Sequence, residues 1–168
     1  MSFANTVLQD NPDLGPGEVI TASPYNVSAF ELFEDGLVEG RFVKYHTGSI
    51  DNMDGSSASP VVAGIARRKI TGEIGTGIYS TSGQAIDQVA EVINFGFATV
   101  AVTDAADPAK YDAVQFVNAT GADAGKATDA TVASGIVSAG DVVFWEPKAA
   151  GVWLVRINKF CKGIDNED

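Results

Sequence analysis

Gln88–Val102 reads QVAEVINFGFATVAV, and its patterning decides the fold class. Val92, Asn94, Gly96, Ala98 and Val100 fall on one face of an extended chain. Ile93, Phe95, Phe97, Thr99 and Ala101 fall on the other. A period of two over this length is that of a β-strand, because successive side chains point to opposite faces. Carried on to Val117, the stretch reads strand, turn, strand around the small acidic loop TDAADPAK (103–110). Between Glu91 and Val117 there is no His, no Cys and no pair of basic residues. The segment therefore reads as scaffold, two strands whose faces alternate between core and contact.

The same signals recur outward along the chain. YNVSAFELF (25–33) and GLVEGRFVKYH (36–46) are strand-like. In the second, Phe42, Lys44 and His46 alternate against Val43 and Tyr45. TGSIDNMDGSSASP (47–60) is a turn, VVAGIARRKI (61–70) a strand, and TGEIGTGIYSTSGQ (71–84) a glycine-punctuated stretch. DAVQFVNA (112–119) is a strand, followed by TGADAGKATDAT (120–131), read as a solvated loop of small residues. GDVVFWEPKAAGVWLVRINKF (140–160) closes the chain as a hairpin around a turn carrying Pro147 and Gly151. No segment sustains a helical stripe. SGQAIDQVAEVI (82–93) comes nearest and reads as a strand lead-in, with a short helix as the second choice. Short strands at regular spacing predict an all-β fold: a compact antiparallel β-barrel or sandwich, jelly-roll-like topologies included.

Residues 1–24 differ. Isolated apolar residues stand among Asn, Asp, Gly and Pro, and Pro12, Pro16 and Pro24 break regular structure. They read as an extended N-terminal arm ahead of a single β domain over 25–168. Phe3, Val7, Leu8 and Leu14 lack a clean period, which fits either a frayed terminus or an arm that orders against a neighbour.

Bulk composition narrows the function. At 168 residues the chain can bury a core without disulfide or metal. The formal net charge of −11 repels nucleic acid and anionic membranes, so neither is expected as a partner. A single cysteine, Cys161, forbids an internal disulfide and suits a reducing compartment. The N-terminus lacks the basic and apolar regions of a secretory signal, and no apolar run is long enough to span a bilayer. The sequons at Asn26 and Asn118 are then chance matches.

The search for chemistry returns no site. His46 is the only histidine; Ser56, Ser57, Ser59 and Asp51 lie near it in sequence, but no spacing makes a triad and GSSAS is not a nucleophile elbow. One Cys and one His cannot supply a zinc site. DNMDGSS fails the EF-hand spacing in both frames and reads as a turn at Asp54-Gly55. GADAGKAT has the wrong spacing for a phosphate loop, and GEIGTG has no strand–helix context. No cofactor and no metal is expected, and no catalysis. Arg67, Arg68 and Lys69 form the one basic cluster, read as pairing with acids of a neighbouring subunit or partner, or as charge guarding an edge strand. Trp145 and Trp153 flank the last turn and read as core, with a sugar-binding platform as the lesser option.

Three stretches resemble the structural cement, or capsid decoration, proteins of tailed bacteriophages: DLGPGEVITASPYNVSAFELFEDGLVEGRFVKYHTGSI, VAGIARRKITGE, and AEVINFGFATVAVTDAADPAKYDAVQFVN with the closing VVFWEPKAAGVWLVRINKF. The resemblance covers most of the chain past the arm and carries no catalytic motif. It implies a β-barrel or sandwich that binds the outside of the major capsid protein lattice and clamps adjacent capsomers. It also implies a homo-oligomer, a homotrimer in preference to a homodimer, located on the outer capsid surface and in the host cytoplasm during assembly. The interface residues read from this sequence are Phe3, Val7, Leu8, Leu14, Arg67, Arg68 and Lys69. The alternative is a glycan- or host-binding β module of a virion fibre or spike.

Overall fold

A computed structural model of the chain describes residues 15–34, 36–68, 78–79 and 89–161. The strands are β1 (Asn26–Leu32), β2 (Leu37–Val38), β3 (Phe42–His46), β4 (Ser49–Asn52), β5 (Val62–Ala66), β6 (Ile78–Tyr79), β7 (Val89–Ala101), β8 (Ala113–Val117), β9 (Ala127–Thr128), β10 (Ile136–Ala149) and β11 (Val152–Phe160). There is no helix among the described residues. The all-β expectation holds, and the barrel is chosen over the sandwich. The main sheet runs β1-β4-β3-β5-β7-β11-β10-β8-β9, and β1 also pairs with β7. That extra pairing closes β1, β4, β3, β5 and β7 into a barrel. One pair departs from the antiparallel expectation. β1 and β4 run parallel through Glu31↔Ser49 and Leu32↔Ile50, so the barrel is mixed.

Two apolar cores result. Leu32, Val43, Ile50, Ala63, Ala66, Ala90 and Val92 come from all five closed strands and form one cluster with Leu37, the barrel interior. The outer faces of β3, β5 and β7 supply Phe42, Val62, Ile65 and Ile93 to a second core. There they meet Phe116, Val142, Phe144 and Ile157 from the curled sheet β7-β11-β10-β8-β9. Phe42 stacks on Phe116 with ring centroids 5.1 Å apart. Each such side chain taken from water contributes about 1.5–3 kcal/mol.

Because β3, β5 and β7 are buried on both sides, simple alternation fails there. In β7, Ala90 and Val92 face the barrel, whereas Ile93, Ala98 and Val100 face the second core. The face expected to run from Val92 to Val100 is therefore split. The cause is a β-bulge: Asn26 opposes Phe95 but Val27 opposes Ile93, leaving Asn94 as an extra residue. Gly96 follows with φ +99°, and a Cβ there would meet the Pro24 carbonyl oxygen at 2.5 Å. In β5, Val43 opposes Gly64 and Lys44 opposes Val62, so Ala63 is extra and the two faces exchange in the same way.

β7 and β8 are not neighbours; β11 and β10 lie between them. The closing hairpin forms as expected, with Ala149 opposite Val152 around Ala150-Gly151. Pro147 sits inside β10 rather than in the turn. Beyond Val143, β10 has β11 as its only ladder partner among the described residues, and a strand unpaired on one side tolerates a residue without an N–H. The loop 120–131 is not wholly solvated: Ala127 and Thr128 are buried as β9, and Gly125 approaches the Phe42 carbonyl.

Candidate interface surfaces

Of the interface residues read from the sequence, Phe3, Val7, Leu8, Leu14 and Lys69 lie outside the described residues. Arg67 and Arg68 leave β5 at the surface, and both are engaged within the chain. Arg67 Nη1 donates to Glu91 Oε2 at 2.6 Å, and Arg68 Nη1 to Glu18 Oε1 at 3.1 Å. The backbone follows the same course: Arg67 N donates to the Glu91 carbonyl and Arg68 N to that of Gly17. Segment 15–20 is in turn laid along β7. Gly17 N donates to the Thr99 carbonyl, Thr99 N to that of Glu18, and Ile20 N to that of Phe97. Thr99 Oγ1 adds a hydrogen bond to the Gly15 carbonyl at 2.6 Å.

A cleft of about 350 Å³ is lined by Phe33, Lys44, His46, Asp51, Asp54 and Ser56 among others. Here the structure brings together several residues weighed as catalytic or calcium-binding. Lys44, buried on β3, places its Nζ 2.7 Å from Asp54 Oδ2 and 3.6 Å from Asp51 Oδ2, and donates to Ser56 Oγ at 3.1 Å. The ammonium takes the place a cation would need. Burial alone would raise the Asp54 carboxyl. Hydrogen bonds from Lys44 and from the Ser56 N–H and hydroxyl, with the Lys44 charge, instead hold it at about 2. Ser56 Oγ thus accepts from Lys44 while its hydroxyl turns to Asp54, and its hydrogen bonds close within the cluster. His46 packs on Phe33 with centroids 3.9 Å apart and the rings tilted by 45°. No group of carboxylate, His and Cys side chains fit to hold a metal occurs among the described residues.

A second constellation gathers on the outer face of β7, β10 and β11. Phe97 pairs across the ladder with Arg156, and Trp145 occupies a bulge of β10. Phe97 and Tyr111 meet the indole edge-to-face, at 5.2 and 5.4 Å between centroids. Lys110 Nζ stands 4.3 Å from the indole centroid and the Arg156 guanidinium 5.7 Å, contacts worth about 0.5–1 kcal/mol each at a surface. Tyr111 has φ +74° and an exposed ring, yet its N–H is bonded to the Phe144 carbonyl at 2.7 Å. A non-glycine residue held there costs about 1–3 kcal/mol. Trp153, by contrast, packs on Phe144 at the edge of the second core. Sequence reading reached Trp145 but missed Lys110, Tyr111 and Arg156. Lys110-Tyr111 after Pro108 was the only local signal, and joining it to Arg156 needs the strand register.

The family model of the XM1 gp53 minor capsid protein matches residues 3–159. The chain belongs to the XM1 gp53 minor capsid protein family. This gp53-family protein is also similar to a chain of the solved structure "The capsid of Myoviridae Phage XM1". The identity is 64% over 95% of this chain and 99% of that chain, with a TM-score of 0.81. No curated protein matches it. The gp53-family protein is a bacteriophage capsid-associated structural protein of the virion. The likeness to phage capsid proteins, carried in sequence by pattern alone, is upheld at that level.

Proposed function

We propose that this gp53-family protein is a non-enzymatic clamp. It binds the outside of the major capsid protein lattice, joins adjacent capsomers and stabilises the DNA-filled head. The observation that carries the reading is the 64% identity, over 95% of the chain, to a component of a phage capsid structure. The described surface supports it. Three strands are buried between two cores, and Lys44, Asp51 and Asp54 of the cleft are tied up in ion pairs. A contact of about 1,600 Å² need be only moderately tight alone, and repetition over a lattice makes it lasting. In this reading Phe3, Val7, Leu8, Leu14 and Lys69 reach the neighbouring capsid chain, Arg68 ties Gly17 and Glu18 at the base of the arm to the body, and Arg67 is held to Glu91 of β7. The partners are the major capsid protein and further copies of this chain. A glycan-binding role would need a free aromatic face, and Trp145 is crowded by Phe97, Tyr111, Lys110 and Arg156.

Co-sedimentation with undecorated capsids of its own phage tests the proposal. Saturable, stoichiometric binding is expected. Deleting residues 1–14 is expected to weaken attachment, with the circular-dichroism spectrum and melting temperature of the remainder kept, since 15–20 stay bonded to β7. Protein that stays in the supernatant with intact, undecorated capsids would sink the clamp reading.

A further inference from the structure

We propose that the Lys110–Trp145–Arg156 cluster is a self-association surface that receives carboxylates of a second copy of this chain. The inference rests on the clamp reading only for its setting; it names where and by what chemistry copies meet.

The charge pattern points there. Among the described cations, Lys44, Arg67, Arg68, Lys126 and Lys148 each have a carboxylate partner within the chain. Arg41 donates to the Ala124 carbonyl beside Asp123. Lys110, Arg156 and Lys159 have no carboxylate partner among the described residues; Lys159 stands exposed on β11, whereas Lys110 and Arg156 are held together on one indole. Arg156 Nε is moreover buried with no acceptor. Arg41 Nε is buried without an acceptor in the same way, but Arg156 as a residue is partly exposed, and the remaining guanidinium donors can pair with a carboxylate arriving beside Lys110. Tyr111, strained and anchored by its backbone, presents its ring beside these cations. Strain of this kind collects where a surface is shaped for contact.

The occupant follows from charge complementarity. Two copies at −11 each repel, so a patch of reversed sign is where their contact is least opposed. The same chain offers the carboxylates. Asp104, Asp107 and Asp129 are exposed, and the Asp107 N–H donates to Asp129 Oδ2, which ties the two loops into one acidic knob. Cation–aromatic clusters of this make-up, Arg and Trp and Tyr together, are the usual energetic centres of protein contacts.

Sedimentation velocity of the full chain without capsids tests it, over a range of protein concentrations at low and high salt. The wild type is expected to self-associate at low salt and to weaken as salt rises. Lys110→Glu with Arg156→Glu, and separately Asp104→Lys with Asp107→Lys, are each expected to weaken association at least about tenfold. Lys159→Glu, the same charge change as Lys110→Glu alone but at an exposed β11 site outside the cluster, is expected to behave as wild type. Circular dichroism identifies any variant that fails to fold, and Lys110→Glu alone, at an exposed position, then stands in for the pair. A wild type that is monomeric throughout, or either charge-reversed pair associating as wild type does, overturns the proposal. So does unchanged association with lost capsid co-sedimentation, which would hand the cluster to the capsid protein. Failure of capsid attachment alone, with self-association as expected, would count against the clamp reading only.

Discussion

Lys44 shows how one residue settles a local question that its sequence neighbours leave open. Asp51, Asp54, Ser56 and His46 look like the makings of a site, but the buried ammonium between the two carboxylates draws Asp51, Asp54 and Ser56 into a structural ion cluster, and His46 packs on Phe33 instead. The consequence is visible in acid. Asp54 is held at about 2 against an ordinary value of 3.8, so the stability it lends is fully present above about pH 4 and is lost as pH falls through about 2. Since Asp54 is 39% exposed, the contribution is about 1 kcal/mol or less. Urea unfolding midpoints measured from pH 5 down to 2 should fall less steeply in Asp54→Asn than in wild type. Parallel curves would mean the pair carries no stability.

At the scale of the element, β7 carries most of the design. It is paired with β1, β5 and β11, takes segment 15–20 alongside, and sends side chains into both cores. The Asn94 bulge and Gly96 let one strand serve two interiors. Gly96→Val is expected to destabilise by about 3 kcal/mol or more, because φ is positive and the new Cβ collides with backbone of Pro24 and Tyr25. Gly48→Ala is the control: φ is +91° but nothing lies within 4 Å of the new Cβ, so only about 1 kcal/mol is expected. Thermal melts of the two variants separate collision from backbone strain, and equal losses would refute the account. The sequence pattern made β7 recognisable as a strand. It could not place the bulge, because an extra residue is defined by what lies opposite it.

For the whole molecule, two cores joined through β3, β5 and β7 should unfold as one unit. Ile50→Ala in the barrel interior and Phe144→Ala in the second core are each expected to cost about 2–5 kcal/mol. Each should shift a single transition. Far-ultraviolet circular dichroism and the fluorescence of Trp145 and Trp153, on β10 and β11 beside the second core, provide two probes. If Ile50→Ala moved the first probe and left the second in place, the cores would be independent.

Alternation, turn residues and the acidic balance determined by themselves that this chain is all-β and needs no disulfide, and the pattern of its strands pointed to phage capsid proteins. Those are local properties: a period of two, a Gly-Pro punctuation and a net charge are read without knowing any contact. Tertiary structure alone decided the closed mixed barrel, the double-sided burial of β3, β5 and β7, the internal pairing of Arg67 and Arg68, and the meeting of Lys110, Trp145 and Arg156. Each of these depends on strand register, and register is a relation between distant segments that no single segment encodes.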